Sequence, residues 1–320
     1  MIHLSSKPSN NSITVVFLLA ALFTFSMFTA NTARQVEAQT LDLAGVSIAV
    51  WGGITSDSTT AVQAMFEWMN AEVTLVTSSQ IRGGALDSVD IFAVPGVSET
   101  STIALLEEEG REAIRQFVEA GGSYFGICGG ALTAVNPSLH LYDGTLTMTI
   151  CGSGSSLGTI TVNQLSTGPG LATEPSTYQT TFWGPQYFTA QGVTGLVTIA
   201  TYESNGHPSM IVYEYGSGNV FLSSPHPEFE EGDSRDGTTL FDEFNDPDSE
   251  WNFMQKIARW QVDTSPDNDQ NTGPQGIPIE VLLPIIAAGA IIVAVVVLVS
   301  YFVKKRRGFL IHPPNTQPHT

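Results

Sequence analysis

Residues 126–130 read Gly-Ile-Cys-Gly-Gly and residues 226–228 read His-Pro-Glu. A thiol flanked by glycines in a G-x-C-x-G string has the spacing of a nucleophile elbow. Small neighbours let a strained strand-to-helix turn form and aim the central side chain outward. His226 and Glu228 stand two apart, on one side of an extended segment, where a carboxylate holds the imidazole tautomer and the imidazole carries a proton. The expected chemistry is thiolate attack on a carbonyl, with Cys128 as nucleophile, His226 as proton carrier and Glu228 as orienting acid. A helix opening near Gly129 points its amino end at the sulfur and favours the thiolate. Backbone N–H groups of Gly129, and of Gly96 or Val97 in the stretch Val-Pro-Gly-Val, are the expected oxyanion donors. Trp183 and Tyr187 are the expected substrate-binding aromatics, although such spacing serves packing equally well.

Those residues need a scaffold that brings strand ends together, and the order of elements predicts one. From Gly45 short apolar runs (VSIAVWGG, VTLVT, IFAVPG, YFGIC) alternate with helical stretches (TTAVQAMFEWMN, LLEEEGREAIRQFVEAGG). In the second helix Ala113, Ile114, Phe117 and Val118 repeat at helical spacing while Arg111, Glu112, Arg115 and Glu119 turn away, and Gly121 closes it. This is a parallel sheet covered on both faces, with ligands at the carboxyl ends of its strands. After Val135 short alternating runs rich in Gly, Ser and Thr predict antiparallel additions, including a hairpin turned at Tyr-Gly-Ser-Gly. GSGSSLG at 152–158 lacks the lysine of a phosphate loop and is expected to be a turn. A final amphipathic segment, DSEWNFMQKIARW, closes the domain near residue 262.

The ends of the chain fix its setting. Residues 1–40 hold Lys7, an apolar run from Ile13 to Ala30 and a polar zone, the order of a signal peptide cleaved near Ala38 or of an uncleaved signal anchor. Val281 to Val303 carries no charge and is long enough to span a bilayer, so 280–303 is the expected transmembrane helix. The basic string at 304–307 opens a short tail, 304–320, expected in the cytoplasm. Residues 41–262 are then an extracytoplasmic domain, and 263–279 a flexible stalk. The expected localisation is the cell membrane, in a single-pass type I topology. The chain has 12 basic and 31 acidic residues, and four of the basic ones stand at 304–307. The domain is therefore strongly acidic, which excludes nucleic acid as a partner. His and Cys are too scattered for a zinc site, and no metal or cofactor is expected. The acidic string EFEEGDSRDG is read as a solvated loop, with calcium capture as its alternative. The chain has two cysteines, and in an exported protein a Cys128–Cys151 disulfide is the competing reading of the elbow.

The stretch from about Val46 to Trp260 resembles the class I glutamine amidotransferase-like superfamily, and within it the domain similar to the N-terminal region of some biotin–protein ligases. The blocks that carry the resemblance are AVPG, REAIRQFVEAGGSYFGICGGA, FWGPQYF and GSGNVFLSSPHPE. The resemblance implies a flavodoxin-like α/β fold, Cys128 at the family nucleophile, and His226 and Glu228 at its His-x-Glu. Ala131, Leu132 and Thr133 stand where glutaminases of the superfamily carry a Gly-His-Gln-like string, and Val97 replaces the second glycine of a P-G-G loop. No synthetase or biotin-ligase domain accompanies the domain. Glutamine is therefore not implied as substrate, and two classes stay open: a cysteine-dependent amide hydrolase or amidotransferase acting on a small amide or peptide, or a binding domain without turnover.

Overall fold

Three apolar runs without alternation form the centre of the sheet, because both their faces are covered. In the computed structural model these are β3 (Ile91–Val94), β4 (Ser123–Ile127) and β11 (Gly218–Ser223), each buried along its whole length. The structure describes residues 42–265, apart from 136, 149–153, 190–192, 231–233 and 247, together with 298, 299, 301, 302 and 305. With β1 (Ser47–Trp51) and β2 (Glu72–Val76) they make a parallel half in the order β2-β1-β3-β4-β11. That sequence of neighbours is the flavodoxin-like order, with β11 as fifth strand.

The same sheet continues through β10 (Pro208–Tyr215), β9 (Val197–Tyr202), β6 (Ser155–Val162) and β7 (Thr177–Trp183), all antiparallel. A separate two-stranded sheet pairs β5 (Thr145–Met148) with β8 (Gln186–Thr189). The expected hairpin joins β10 to β11, with Tyr215 opposite Gly218.

Helices α1 (Asp57–Trp68), α2 (Ser78–Arg82), α3 (Glu99–Glu119), α4 (Gly129–Ala134) and α5 (Trp251–Asp263) complete the domain. One sheet face packs Phe125, Ile127 and Phe221 against Met65 and Phe66 of α1 and Phe253, Met254 and Ile257 of α5. The other packs Tyr124, Val220 and Leu222 against Leu106, Ile114 and Val118 of α3. The molecule is thus layered helix, sheet, helix, as both-face burial of β3, β4 and β11 requires.

Three details differ from the sequence reading. Ser155–Gly158, expected in a turn, are the first half of β6 and pair with β7, because Thr, Ser and Leu at alternate positions satisfy a sheet edge as readily as a loop. The polar loop before β3 contains α2, opened by a reciprocal Thr77–Gln80 capping box. Helix α3 begins at Glu99 and kinks at Glu107, whose φ is 59°.

The chain divides into two compact units, Met1–Asn268 and Asp269–Thr320, and the fold above belongs to the first. The apolar run at 13–30, Cys151 and nearly all of the run at 281–303 lie outside the described residues. Among the described residues no helix is long and apolar enough to cross a membrane.

Candidate functional site

Cys128 follows β4 directly and caps α4 with φ 49° and ψ −105°. A β-carbon is strained in that conformation, by about 1–3 kcal/mol, and it persists only where the surroundings enforce it. Here they do: the Cys128 N–H donates to Ser223 O on β11 at 2.8 Å, and the Cys128 carbonyl accepts from Leu132 N–H at 3.0 Å. The glycines around it are close-approach positions. A β-carbon on Gly130 would stand 1.9 Å from Val94 O, and one on Gly126 would meet Tyr124 Cε1 at 2.7 Å. The elbow spacing therefore exists so that α4 can turn tightly over the ends of β3 and β4. Cys128 is a free thiol, partly exposed.

His226 and Glu228 come from the segment just past the end of β11, the neighbour of β4, so the sheet itself delivers them to the elbow. His226 Nδ1 lies 2.8 Å from Glu228 Oε1, and both side chains are buried. Backbone bonds hold the segment: His226 N–H donates to Thr181 O of β7 at 2.9 Å, and Trp251 Nε1 donates to Glu228 O at 3.1 Å. Burial acts most strongly on the imidazole and pushes its pKa down. The charges of the Cys128 thiolate and the Glu228 carboxylate, with side-chain contacts to both, outweigh it and hold His226 well above the usual 6.5. Among the described residues Nε2 makes no well-formed hydrogen bond of its own, so its relation to the sulfur is a charge contact at this geometry. Unliganded sites are often this loose.

Glu228 has a second partner that the sequence reading missed. Ser58 Oγ donates to Glu228 Oε1 at 2.6 Å and accepts from the Gly96 N–H at 2.7 Å. In the string Ser-Asp-Ser-Thr-Thr, Ser58 has the composition of a helix start, and nothing local sets it apart from Ser56, which is the actual N-cap of α1.

That bond corrects the expected oxyanion donors. The Gly96 N–H is engaged by Ser58 Oγ, and the Val97 N–H by Pro95 O at 2.9 Å. Gly129 opens α4, where no intrahelical carbonyl is available to its N–H. Gly96 serves instead as the floor of the imidazole, since a β-carbon there would fall 2.6 Å from His226 Cε1.

The two expected aromatics part company. Trp183, at the end of β7 and 52% exposed, stands edge-on to Phe241 with ring centroids 5.8 Å apart. Phe241 meets Phe229 at 5.0 Å and Phe229 meets His226 at 5.6 Å, so an aromatic wall runs from the imidazole to solvent. Phe229 and Phe241 had no sequence signal beyond being apolar in an acidic stretch. Tyr187 is stacked on His207 at 4.1 Å and packs into the core instead.

Residues 53–153 match the family model described as biotin-protein ligase, N terminal. That stretch covers under a third of the chain and includes the elbow, but ends before His226 and Glu228. It bears out the resemblance to the glutamine amidotransferase-like superfamily, and to that domain within it. Among solved structures the chain is similar to a GMP synthase component from Thermoplasma acidophilum, so described on similarity (12% identity, 67% of this chain and 93% of that one, TM-score 0.46). It is also similar to a cytoplasmic protein from Salmonella typhimurium (9% identity, 68% and 98%, TM-score 0.46) and a glutamine amidotransferase from Thermotoga maritima (11% identity, 70% and 92%, TM-score 0.42). No curated protein matches the chain.

Proposed function

We propose that this glutamine amidotransferase-like domain is a membrane-tethered, extracytoplasmic cysteine enzyme that opens an amide bond. The observation that carries the reading is the buried His226–Glu228 pair, 2.8 Å apart, beside a thiol held at positive φ on a strand end. The Cys128 thiolate attacks the amide carbonyl carbon, forming a C–S bond and an oxyanion that the Gly129 N–H faces. The imidazolium of His226 gives its Nε2 proton to the departing nitrogen as the C–N bond breaks, leaving a thioester. Water or another nucleophile then attacks the thioester, His226 takes the proton, and the thiolate departs to be re-paired with the imidazolium. Glu228 holds the Nδ1 proton throughout and takes none itself. A small amide or a peptide is the substrate class, with Trp183 and the Phe241 ring beside the approach. None of these steps calls for a metal or cofactor.

The tether rests on the sequence: an apolar run at 13–30 for export, an uncharged run at 281–303 and the basic string at 304–307. Protease added to intact cells is expected to remove the domain and spare an epitope on the tail. Loss of the epitope under the same treatment would reverse the orientation.

A second reading, a ligand-binding domain without turnover, is favoured by one observation: two of three expected oxyanion amides are already bonded within the protein. Labelling with an electrophilic thiol probe separates the two. An enzyme gives labelling at Cys128 that falls strongly in His226→Ala, whereas a binding domain gives labelling that is indifferent to it.

A further inference from the structure

We infer that Ser58 is a positioning residue of this site, holding Glu228 and the Gly96 loop in register so that the imidazole stays aimed at the thiol. The inference rests on the triad reading above and adds a fourth side chain to it.

The geometry gives the hydroxyl two jobs at once. It donates to Glu228 Oε1 at 2.6 Å, the same oxygen that receives His226 Nδ1 at 2.8 Å, and it accepts from the Gly96 N–H at 2.7 Å. Gly96 lies directly beneath the ring, with room for no side chain against His226 Cε1. One hydroxyl thus fixes the acid behind the imidazole and the backbone below it. A buried carboxylate is oriented by the donors on its oxygens. Glu228 Oε2 has no hydrogen-bond partner among the described residues, so Oε1 carries the orientation.

The ordinary structural role for a serine at this place is already filled. Ser56 is the N-cap of α1 and accepts from the Thr59 N–H at 3.0 Å. Ser58 lies inside the first turn and is buried, and its hydrogen bonds leave the helix altogether. Hydroxyl side chains facing inward from a first turn have no helical reason to reach a residue 170 positions away. The effect on chemistry follows from His226: its proton is held up partly by the carboxylate's charge and hydrogen bond. Removing Ser58 leaves that carboxylate with a single donor and free to rotate away.

The test is the pH profile of iodoacetamide alkylation at Cys128, read by peptide mass on the full-length exported chain, beside its melting temperature. Ser58→Ala is expected to slow alkylation about tenfold near neutral pH, in line with losing one hydrogen bond to a charged group, and to move the reactive limb upward. Ser58→Thr, which keeps the hydroxyl, is expected to follow wild type, and Ser58→Val, its isostere, to follow Ser58→Ala. The threonine and valine pair gives the same comparison if the alanine variant does not fold. A lowered melting temperature with an unmoved limb in Ser58→Ala would show a structural serine and overturn the inference. An unmoved limb in His226→Ala would overturn the triad reading first, and this inference with it.

Discussion

Gly129 lies so tightly under the loop after β3 that a β-carbon on it would stand 1.7 Å from the Val97 carbonyl oxygen. That approach explains why the thiol is followed by glycine: backbone, which cannot swing aside as a side chain does, occupies the space. Gly129→Ala is therefore expected to unfold the elbow rather than adjust it, with a loss of about 3 kcal/mol or more by analogy with overpacked cores. Denaturant titration would check it, and a loss below about 1 kcal/mol would mean that the loop yields.

Gly96→Ala is expected to separate reactivity from stability. Its β-carbon would meet the imidazole ring at 2.6 Å, and a ring rotates where backbone does not. The variant should fold while losing most of its thiol labelling. Undiminished labelling would show that the imidazole does not work from the position seen here.

Much of this was legible in the sequence, for reasons that differ from residue to residue. Cys128 could be found because the elbow needs small residues at fixed offsets, and His226 and Glu228 because two-residue spacing after an apolar run puts them at a strand end. The unalternating runs of β3, β4 and β11 announced a sheet covered on both faces. Ser58 and Gly96 were harder. Their bond spans 38 positions of chain, and a serine among Ser, Asp and Thr looks the same whether it caps a helix or reaches across to an acid. Amides, too, are identical in sequence whether free or bonded, which is why Gly96 and Val97 were expected at the oxyanion. The turn reading of GSGSSLG failed for a related cause: flexible residues accept strand geometry when a partner strand supplies the hydrogen bonds.

Stability should depend on pH through His226. The folded protein holds this proton more tightly than the unfolded chain, whose histidines titrate near ~6.5. The group's contribution is therefore complete below about pH 6.5 and is lost as pH rises through the higher folded value. Unfolding free energy is expected to decline from near-neutral to alkaline pH, and His226→Ala to flatten that decline. Cys128→Ser, which removes the thiolate charge, should flatten it in part. A wild-type slope unchanged in His226→Ala would mean that the imidazole is neutral in the folded state.

The last prediction concerns the thiol itself. A disulfide to Cys151 would occupy the sulfur, while the elbow, the buried His226–Glu228 pair and the strained φ of 49° would be left without use. Strain of this kind is kept where the surroundings hold a side chain for a purpose, and a staple needs none of it. Cys128 is therefore expected to be a free thiol in the exported protein, alkylated without prior reduction. Glu228→Gln should slow that alkylation without abolishing it, because the amide still fills the space but no longer draws the Nδ1 proton with a full charge. Intact mass distinguishes the alternative directly. A native protein lighter than its reduced form by two hydrogens, with a peptide joining Cys128 to Cys151, would remove the nucleophile from the mechanism and leave the binding domain as the standing interpretation.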